Sequence, residues 1–562
     1  MNNIRVLLLL SFIITLVKVT CADNVEQFYL ITVKDTTPKS HHKRQEVSSS
    51  VEATIDAIHN LIVENKDTFV NPEKLDELDE NDAQLKKRNM EYVIDYGSSN
   101  YVYQIATLNS GRSILYGYLN EKIVKSVMKL PNVISCNPDK TYKPDSYNES
   151  EIISESEIKN YNFNTAFSSH LSLISQGIYD KSYFKYYDSN YYYPKKGGKD
   201  VDIYIFDVGF NFNNSEFSDT ERKAKCILNI KNGKLVAYND NNDVKSCFSE
   251  SMNDHGTLCA TVAAGKTQGA APNANVYGVL MNTYDGGNVI SGMRHIMDNY
   301  MVSGKKVIFN FSFSHEDNTI DNKPSKLKEK IKDENNKEYD KSEHDMIDEF
   351  VQKGGILFSS AGNEGMNVYD NEVGRAKYPC VYNNTICVGG FANKQMKESD
   401  YSYFSNSESI PYSLSQWSNY GKGVDIYAPF YFYLSYQNSS DYEEITGTSM
   451  GSPLTAGVAA TLWSEFPDEL DKDSKALKKD SMLKLLQNLA HKNVITKAPT
   501  PNYLLNNGRK IISLTSNNDR CGVNFGNKKC KNNLCCSADG YCGELYQHCF
   551  ENCQQGFGKC YN

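Results

Sequence analysis

The stretch EITGTSMGSPLTAG, residues 444–457, surrounds Ser449 with small residues. These glycines and alanines remove bulk where another group must come close. Pro453 suits the first turn of a helix that continues through GVAATLW. A serine at a helix N-terminus lies near unpaired backbone N–H groups, which stabilise developing negative charge. A tightly packed helix cap would use the same residue types. The stretch alone therefore does not decide whether Ser449 is a nucleophile or a helix cap.

Two further stretches supply an acid and a base. VDIYIFDVGF, residues 201–210, ends an apolar strand with Asp207, and NDHGTLCATVAAG, residues 253–265, places His255 before small residues that let a helix pack closely. Alone, the aspartate is typical of a turn cap and the histidine of a structural residue. Together with Ser449 they predict a nucleophilic triad, in which the imidazole takes the serine proton and the carboxylate holds the imidazole tautomer.

A fourth stretch adds an amide. ILFSSAGNEG, residues 356–365, puts Asn363 in a glycine-bounded turn after an apolar strand. An amide donor there, with the backbone N–H of Ser449 as its partner, is suited to bind the oxyanion of a tetrahedral intermediate. An isolated Ala-Gly-Asn would indicate only a turn, but beside a triad it predicts an oxyanion hole.

These motifs resemble those of the subtilisin-type serine proteases over about residues 160–512. Three of them resemble the family patterns D-T-G, H-G-T-x-x-A-x-x-x-A-G and G-T-S-M-A-x-P, and they stand in the family's order: DVG at 207–209, HGTLCATVAAG at 255–265 and GTSMGSP at 447–453.

The resemblance is closest to the proteinase K-like branch of secreted fungal enzymes, which also carries a cysteine four residues after the histidine, here Cys259. It implies that Asp207, His255 and Ser449 form the triad and that Asn363 contributes to the oxyanion hole. A buried thiol beside the histidine is expected to be a packing residue; the alternative is a second nucleophile.

The chain departs from the family pattern at several positions. Val208 stands where the family has Thr, and Gly451 where it has Ala. The substrate-binding strand, S-L-G-G in the family, is here Ser312, Phe313, Ser314 and His315. Two side chains in place of two glycines predict a narrower or re-shaped specificity pocket, and they leave the cleavage preference open.

The fold class expected for this region is α/β. Six short apolar strands alternate with helical segments between about residues 165 and 512: VDIYIF, ANVYGVLM, KKVIFNFSF, GGILFSSAGN, NTICVGGF and VDIYAPF. Continuous apolar strands of this kind predict a parallel sheet covered on both faces, with the active cleft at the carboxyl ends of the strands.

The chain has 562 residues, too many for one compact core. Residues 1–22, MNNIRVLLLLSFIITLVKVTCA, predict a secretory signal peptide and hence a secreted, extracellular protein; a retained membrane anchor is the alternative. No internal apolar run is long enough for a membrane span. The balance of 60 basic and 69 acidic residues gives no reason to expect nucleic acid as a partner.

Residues 23–155 are expected to form a small α/β module followed by an acidic, serine-rich linker. The pattern is strand–helix–strand–helix–strand, with a Ser49/Glu52 capping box at the first helix and strands near 25–34, 114–119 and 133–139. By resemblance this region is an inhibitory pro-domain removed by self-cleavage. The peptidase domain would then span residues 156–512.

Fifteen cysteines are distributed unevenly, and eight of them lie in the last 42 residues. This density indicates a separate disulfide-stapled module at residues 519–562. In the middle of the chain, Cys226 with Cys247 and Cys380 with Cys387 are the expected pairs, although the sequence permits others.

The tail resembles a hevein-type chitin-binding module along its full length. The family pairing would be Cys521–Cys536, Cys530–Cys542, Cys535–Cys549 and Cys553–Cys560. Ser537 and Tyr541 match family contact positions, whereas Asp539 replaces the first aromatic residue and His548 the last. The expected ligand is chitin or another N-acetylglucosamine polymer, and the alternative is a stapled spacer without a ligand.

The sequence thus predicts a secreted serine endopeptidase acting on proteins or peptides, with no required cofactor and no metal ligands assigned. Calcium as a structural ion is compatible with the resemblance. The rival hypothesis is a chitin-anchored adhesin built on an inactive protease scaffold. Sequons at Asn213, Asn383 and Asn438 predict glycosylation, whereas Asn310, on an apolar strand, is expected to be unmodified.

Overall fold

The computed structural model describes residues 26–35, 47–87, 92, 96–97, 99–144, 170–178, 191–218, 221–238, 243–251, 253–302, 304–317, 339–370, 375–392, 412–435, 442–471, 476–510, 520–531, 533–538, 540–543, 546–550 and 553–560. The expected signal peptide and the acidic stretch at 146–161 lie outside these residues. The chain divides into two compact units, Met1–Asp139 and Lys140–Asn562.

The first unit is a four-stranded antiparallel sheet with helices. Its elements are β1 (Gln27–Lys34), α1 (Ser49–Glu64), α2 (Glu73–Lys87), β2 (Val102–Leu108), β3 (Arg112–Leu119), α3 (Glu121–Val127) and β4 (Val133–Pro138). The strand order is β2-β3-β1-β4. The buried face of α1 packs into this unit's own core through Val51, Ile55, Ile58 and Ile62.

This unit differs from the sequence expectation in three ways. The structure adds α2 and β2, and the cap of α1 is Ser48, whose Oγ accepts from the backbone N–H of Val51. Ser49, expected to be the cap, is instead the first helical residue. A cap residue keeps an extended backbone, as Ser48 does at φ −68° and ψ 150°.

The second unit begins with β5 (Lys143–Pro144), α4 (His170–Leu173), β6 (Val201–Asp207), β7 (Gly209–Asn211), β8 (Ala224–Lys231), β9 (Lys234–Ala237), β10 (Ser246–Phe248), α5 (His255–Ala264), β11 (Asn275–Met281), α6 (Gly286–Asn299), β12 (Lys306–Phe311) and β13 (Phe313–Asp317). It continues with α7 (Tyr339–Gln352), β14 (Ile356–Ser360), β15 (Tyr369–Asp370), β16 (Arg375–Tyr378), β17 (Thr385–Ala392), β18 (Ser413–Leu414), β19 (Ile426–Pro429), β20 (Tyr431–Ser435), β21 (Tyr442–Thr446), α8 (Thr448–Glu465), α9 (Pro467–Asp471), α10 (Lys478–Leu489), β22 (His491–Lys492), β23 (Tyr503–Leu504), β24 (Cys535–Cys536), β25 (Cys542–Gly543) and α11 (Tyr546–Cys549).

The large sheet of this unit confirms the predicted parallel α/β fold. Its strand order is β22-β23-β19-β17-β14-β12-β6-β11-β8-β9, with β18 paired to β17. The run from β23 to β8 is parallel throughout. Its strands β6, β12 and β14 lie side by side, so the residues that follow their carboxyl ends meet at one edge of the sheet.

Helix α8 is the central helix of the unit. All residues from Thr448 to Ser464 are buried, and all of those that are not apolar or glycine are Ser or Thr. A Cβ on Gly457 would lie 2.3 Å from the carbonyl oxygen of Ala263, so only glycine lets α8 approach α5 this closely. The crossing brings the start of α8 towards the start of α5.

Candidate active site

Asp207 and His255 form a buried hydrogen-bonded pair. Asp207 is the last residue of β6, and His255 is the first residue of α5. The His255 Nδ1 lies 2.8 Å from Oδ2 of Asp207. An ionised carboxylate only accepts hydrogen bonds, so Nδ1 carries the proton and Nε2 is left as the basic nitrogen. A Cβ on Gly256 would lie 2.8 Å from the Cβ of Asp207, so the glycine after the histidine permits this approach.

The pair perturbs the protonation of His255. Burial lowers its pKa, but the negative charge of Asp207 opposes this, and the net pKa lies well above the ordinary value. Asp207 therefore stabilises the imidazolium that would form when His255 accepts a proton.

Ser449 is the second residue of α8 and is fully buried. The helix cap is Gly447, whose φ of 132° favours glycine, so the plain cap interpretation of Ser449 does not hold. Pro453 lies inside the helix rather than in its first turn, which corrects the expectation. Because proline has no N–H, it cannot donate to the carbonyl four residues earlier, which is that of Ser449. This carbonyl accepts instead from Oγ of Ser312, at 2.7 Å.

Cys259 marks the point where the three elements meet. Its Sγ lies 3.7 Å from Oδ2 of Asp207, 3.7 Å from Nδ1 of His255 and 3.6 Å from the carbonyl oxygen of Ser449. Burial raises the pKa of this thiol, and His255 lowers it in part. Within the described part of the chain, Nε2 of His255 and Oγ of Ser449 are both buried without a hydrogen-bond partner. The Ser449 hydroxyl, a proton donor, and Nε2 of His255, a proton acceptor, are thus both without a hydrogen bond in this structure.

Asn363 lies in the turn after β14 and is oriented by Thr448. Its Oδ1 accepts from the backbone N–H and the Oγ1 of Thr448, both at 2.9 Å. Because the amide oxygen is committed in this way, the Nδ2 donor group points away from Thr448. Gly362, at φ 99°, allows the turn, and its N–H donates back to Oγ1 of Thr448.

The predicted substrate-binding strand is occupied by a segment of the same unit. Strand β5 pairs antiparallel with β13, with Lys143 opposite Ser314 and Pro144 opposite Phe313. On the other side, the N–H of Tyr142 donates to the carbonyl of Tyr284, and the N–H of Gly286 donates to the carbonyl of Lys140. Residues 140–144 therefore form the middle strand of a small antiparallel arrangement, which we call the cleft strand.

Aromatic rings surround Tyr142, which is itself buried. Its ring contacts Phe313 and His315 edge-on, with centroids 5.2 Å and 4.8 Å apart. The ring of His315 in turn stacks on Tyr378. The ring of His315, where the family pattern has a glycine, thus packs between Tyr142 and Tyr378.

The structure pairs the cysteines as named in the sequence analysis: Cys226–Cys247, Cys380–Cys387, Cys521–Cys536, Cys530–Cys542, Cys535–Cys549 and Cys553–Cys560. Among the described residues, Cys136 and Cys259 have free thiols.

In the tail module, the two named contact residues are engaged with each other. The Oγ of Ser537 accepts from the backbone N–H of Tyr541 at 3.0 Å, and Ser537 is buried. The guanidinium of Arg520 lies over the ring of Tyr541, 3.2 Å from its centroid, and covers one of its faces. His548 packs against Gly543, while Asp539 lies outside the described residues.

Comparison with known proteins identifies both parts. The subtilase family model matches residues 198–513, more than half of the chain, and the chitin recognition protein model matches residues 520–560. The chain belongs to the subtilase family. By these matches it is a subtilisin-like serine protease with a C-terminal chitin recognition module.

Similar curated proteins are fungal. The subtilase is 27% identical to subtilisin-like serine protease Pen ch 18 of Penicillium rubens, over 70% of this chain and 67% of that protein. It is 26% identical to alkaline protease 2 of Aspergillus fumigatus, over 76% and 74%. It is 26% identical to subtilase-type proteinase RRT12 of Saccharomyces cerevisiae over 60% of this chain, and it spans only 59% of that protein.

Among solved structures, a cold adapted subtilisin-like serine proteinase aligns with 61% of this subtilase and 99% of its own chain, with a TM-score of 0.41 and 22% identity.

Sequence reasoning missed two contacts of the site in this subtilase. Thr448 orients Asn363, and the Tyr284 hydroxyl donates to Oδ1 of Asp207 at 2.7 Å. The position of Thr448 beside the serine could have indicated a role. No signal in the sequence distinguishes Tyr284 from the other tyrosines, because its partner lies 77 positions away.

Proposed function

We propose that this subtilase is a secreted serine endopeptidase, made as a zymogen and directed to chitin or a related N-acetylglucosamine polymer by its tail module. One observation carries the catalytic part: the buried Asp207–His255 pair lies next to the start of α8, beside a cleft that already accepts an extended strand. The tail proposal rests on its match to the chitin recognition model.

The roles follow from the atoms available. The Oγ of Ser449 attacks the carbonyl carbon of a peptide bond while Nε2 of His255 takes its proton. Asn363 and the backbone N–H of Ser449 bind the oxyanion. His255 then gives the proton to the leaving amine as the C–N bond breaks. Water hydrolyses the acyl-enzyme by the same transfers, which restores Ser449.

The first unit is proposed to be the pro-domain. The cleft strand continues directly from this unit's last strand, and it binds β13 by the backbone pairing that a substrate would use. The role of Ser312, Phe313 and Ser314 is therefore to hold the backbone of the peptide to be cut.

A fluorophosphonate probe tests the nucleophile. The matured wild-type protein should be labelled on Ser449, and Ser449→Ala should not. Ser452→Ala is a matched control, because Ser452 lies one turn further along α8 and its Oγ donates to Asn310. The inactive adhesin hypothesis predicts no labelling of the wild type, and that result would overturn the proposed function.

Maturation tests the zymogen. Ser449→Ala, expressed alone, should stay unprocessed, whereas the wild type should be cut shortly after Pro144. The reason is that the pairing of β5 with β13 leads towards Ser312, which contacts Ser449. N-terminal sequencing locates the cut. Cleavage of the Ser449→Ala protein at residues 140–165 would show that another protease performs the step.

Secretion and a structural calcium ion remain predictions from the sequence. Among the described residues, no helix is long and apolar enough to cross a bilayer. Two groups of His, Cys, Asp or Glu side chains lie within 4.8 Å in the described residues: Cys521, Cys530 and Cys536, and Asp207, His255 and Cys259. Calcium prefers six to eight oxygen ligands, so neither group fits it.

A further inference from the structure

Tyr284 contacts the carboxylate of the Asp207–His255 pair. It lies in the short connection between β11 and α6, and it is buried. Its hydroxyl donates to Oδ1 of Asp207 at 2.7 Å, and the N–H of Val208 donates to the same oxygen at 2.8 Å. The other oxygen, Oδ2, is the one that holds His255.

The same residue also contacts the cleft strand. The carbonyl of Tyr284 accepts from the N–H of Tyr142, and its ring lies 5.3 Å from the ring of Phe313 in β13. One tyrosine therefore joins the peptide in the cleft to the acid of the triad. Its backbone binds the peptide, and its side chain binds the carboxylate.

We propose that Tyr284 is a positioning residue through which a peptide bound along residues 284–286 orients the Asp207 carboxylate. The proposal deepens the proposed endopeptidase function and rests on it. It assigns to the distal part of the substrate a contribution to kcat, and not only to binding.

The physical reason is the distribution of donors on Asp207. A carboxylate with two donors on Oδ1 is held in one rotation, which leaves Oδ2 aligned with Nδ1 of His255. Val208 has an aliphatic side chain, so it contributes only its backbone N–H, and the hydroxyl must come from Tyr284. Hydrogen bonds to charged groups are stronger than those between neutral groups.

The effect on turnover follows from the link between the two contacts. A peptide that donates a hydrogen bond to the carbonyl of Tyr284 restricts the segment between β11 and α6, and with it the position of the Tyr284 hydroxyl. Binding of remote substrate residues is thereby used to orient the reacting groups, which raises kcat. A short peptide that ends opposite Ser314 leaves this contact unmade.

Tyr284→Phe separates the hydroxyl from the packing of the ring. The matched control is Tyr191→Phe, which removes a hydroxyl that donates at 3.0 Å to the carbonyl of Ala270, outside the cleft. Two peptide substrates share the residues around the cut, and only the longer one extends far enough to reach residues 284–286. Thermal unfolding of each variant shows that it is folded.

For the wild type, the longer peptide should have the higher kcat. In Tyr284→Phe, kcat for the longer peptide should fall about tenfold or more, KM should change little, and the gain from extension should largely disappear. The downfield proton resonance of Nδ1–H in His255 should also shift. Tyr191→Phe should leave both measurements unchanged.

The proposal would be overturned if, in Tyr284→Phe, the longer peptide kept its advantage in kcat and the Nδ1–H resonance of His255 did not move. Tyr284 would then be a packing residue. Failure of the proposed function looks different, since the wild type would then neither cleave nor react with the fluorophosphonate. The resonance would still show whether the Tyr284 hydroxyl governs the Asp207–His255 bond.

Discussion

The hydroxyl of Ser312 donates to the carbonyl oxygen of Ser449, at the point in helix α8 where Pro453 has no N–H to donate. Pro453 creates this vacancy, and the segment between β12 and β13 fills it. Ser449, the proposed nucleophile, is thereby fixed to the start of β13, since Ser312 directly precedes Phe313.

Ser312→Ala should lower both stability and turnover. The buried carbonyl of Ser449 would lose its strong donor, so the free energy of unfolding should fall by about 1–3 kcal/mol. Ser464→Ala, near the other end of α8, removes a similar bond to the carbonyl of Lys199. We expect it to lower stability alike in chemical denaturation but to leave kcat unchanged. Equal kcat in both variants would remove Ser312 from any role in the site.

Asn363→Ala should lower kcat by about 10²–10³-fold with little change in KM, because it removes an oxyanion donor; this magnitude is the one known for the same kind of change in subtilisin itself. Thr448→Val keeps the amide but removes the hydroxyl that orients it, so its loss should be smaller. Steady-state kinetics on a peptide amide measures both. An undiminished kcat in Asn363→Ala would exclude the oxyanion role.

Asp207→Asn should lower kcat by about 10⁴-fold, as the same replacement does in an unrelated serine protease. The pH profile provides a second test. Asp207 raises the pKa of His255, and only neutral imidazole accepts the serine proton, so wild-type activity should be lost as pH falls through a pKa well above the ordinary value. In Asp207→Asn this acidic limb should move to lower pH. An unshifted limb would show that another group titrates.

Cys259 should be a shielded thiol whose modification inhibits the enzyme. It is fully buried, burial raises its pKa, and a mercury atom on Sγ would crowd His255. Cys259→Ala should stay active and become insensitive to a mercurial. Cys136 belongs to the first unit, which maturation would remove, so it does not contribute to the reaction of the matured enzyme with the mercurial. A folded but inactive Cys259→Ala would make the thiol catalytic.

The tail should bind chitin weakly. Asp539 stands where the family has an aromatic residue, and an aspartate cannot stack on a sugar ring. A hydrogen bond from a sugar hydroxyl to its carboxylate replaces one from water, so the net gain is small. Tyr541, with Arg520 against one face, would be the main platform. In the full-length Ser449→Ala protein, Tyr541→Ala should abolish retention on chitin and Asp539→Trp should increase it. If neither the native tail nor Asp539→Trp is retained, the tail is a spacer or binds another glycan.

The sequence predicted the parallel sheet from local apolar patterns and singled out four candidate catalytic residues from local motifs; the catalytic roles remain predictions. Apolar runs such as VDIYIF form buried parallel strands, and the candidate residues lie at or near the ends of strands and the starts of helices. Helix α2 was missed because EKLDELDENDAQLKK is highly charged and gives a weak apolar pattern. Strand β2 was missed although most of its side chains are buried.

Other features could not be predicted from the sequence, because they depend on how distant segments come together in the fold. The place of Pro453 within α8 depends on where the helix starts, and Gly447 with its positive φ sets that point. The contact of Tyr284 with Asp207 joins two separate strand ends, so neither neighbourhood indicates it. The same holds for residues 140–144, whose pairing partners lie far along the chain.

The cleft strand has a consequence for the order of the maturation reaction. A peptide supplied by the same polypeptide meets Ser449 at an effective concentration set by covalent connection and not by the amount of protein. Its cleavage would be first order, with a half-life independent of protein concentration. Cleavage breaks that covalent connection. From then on, binding of the cleft strand to β13 would depend on protein concentration.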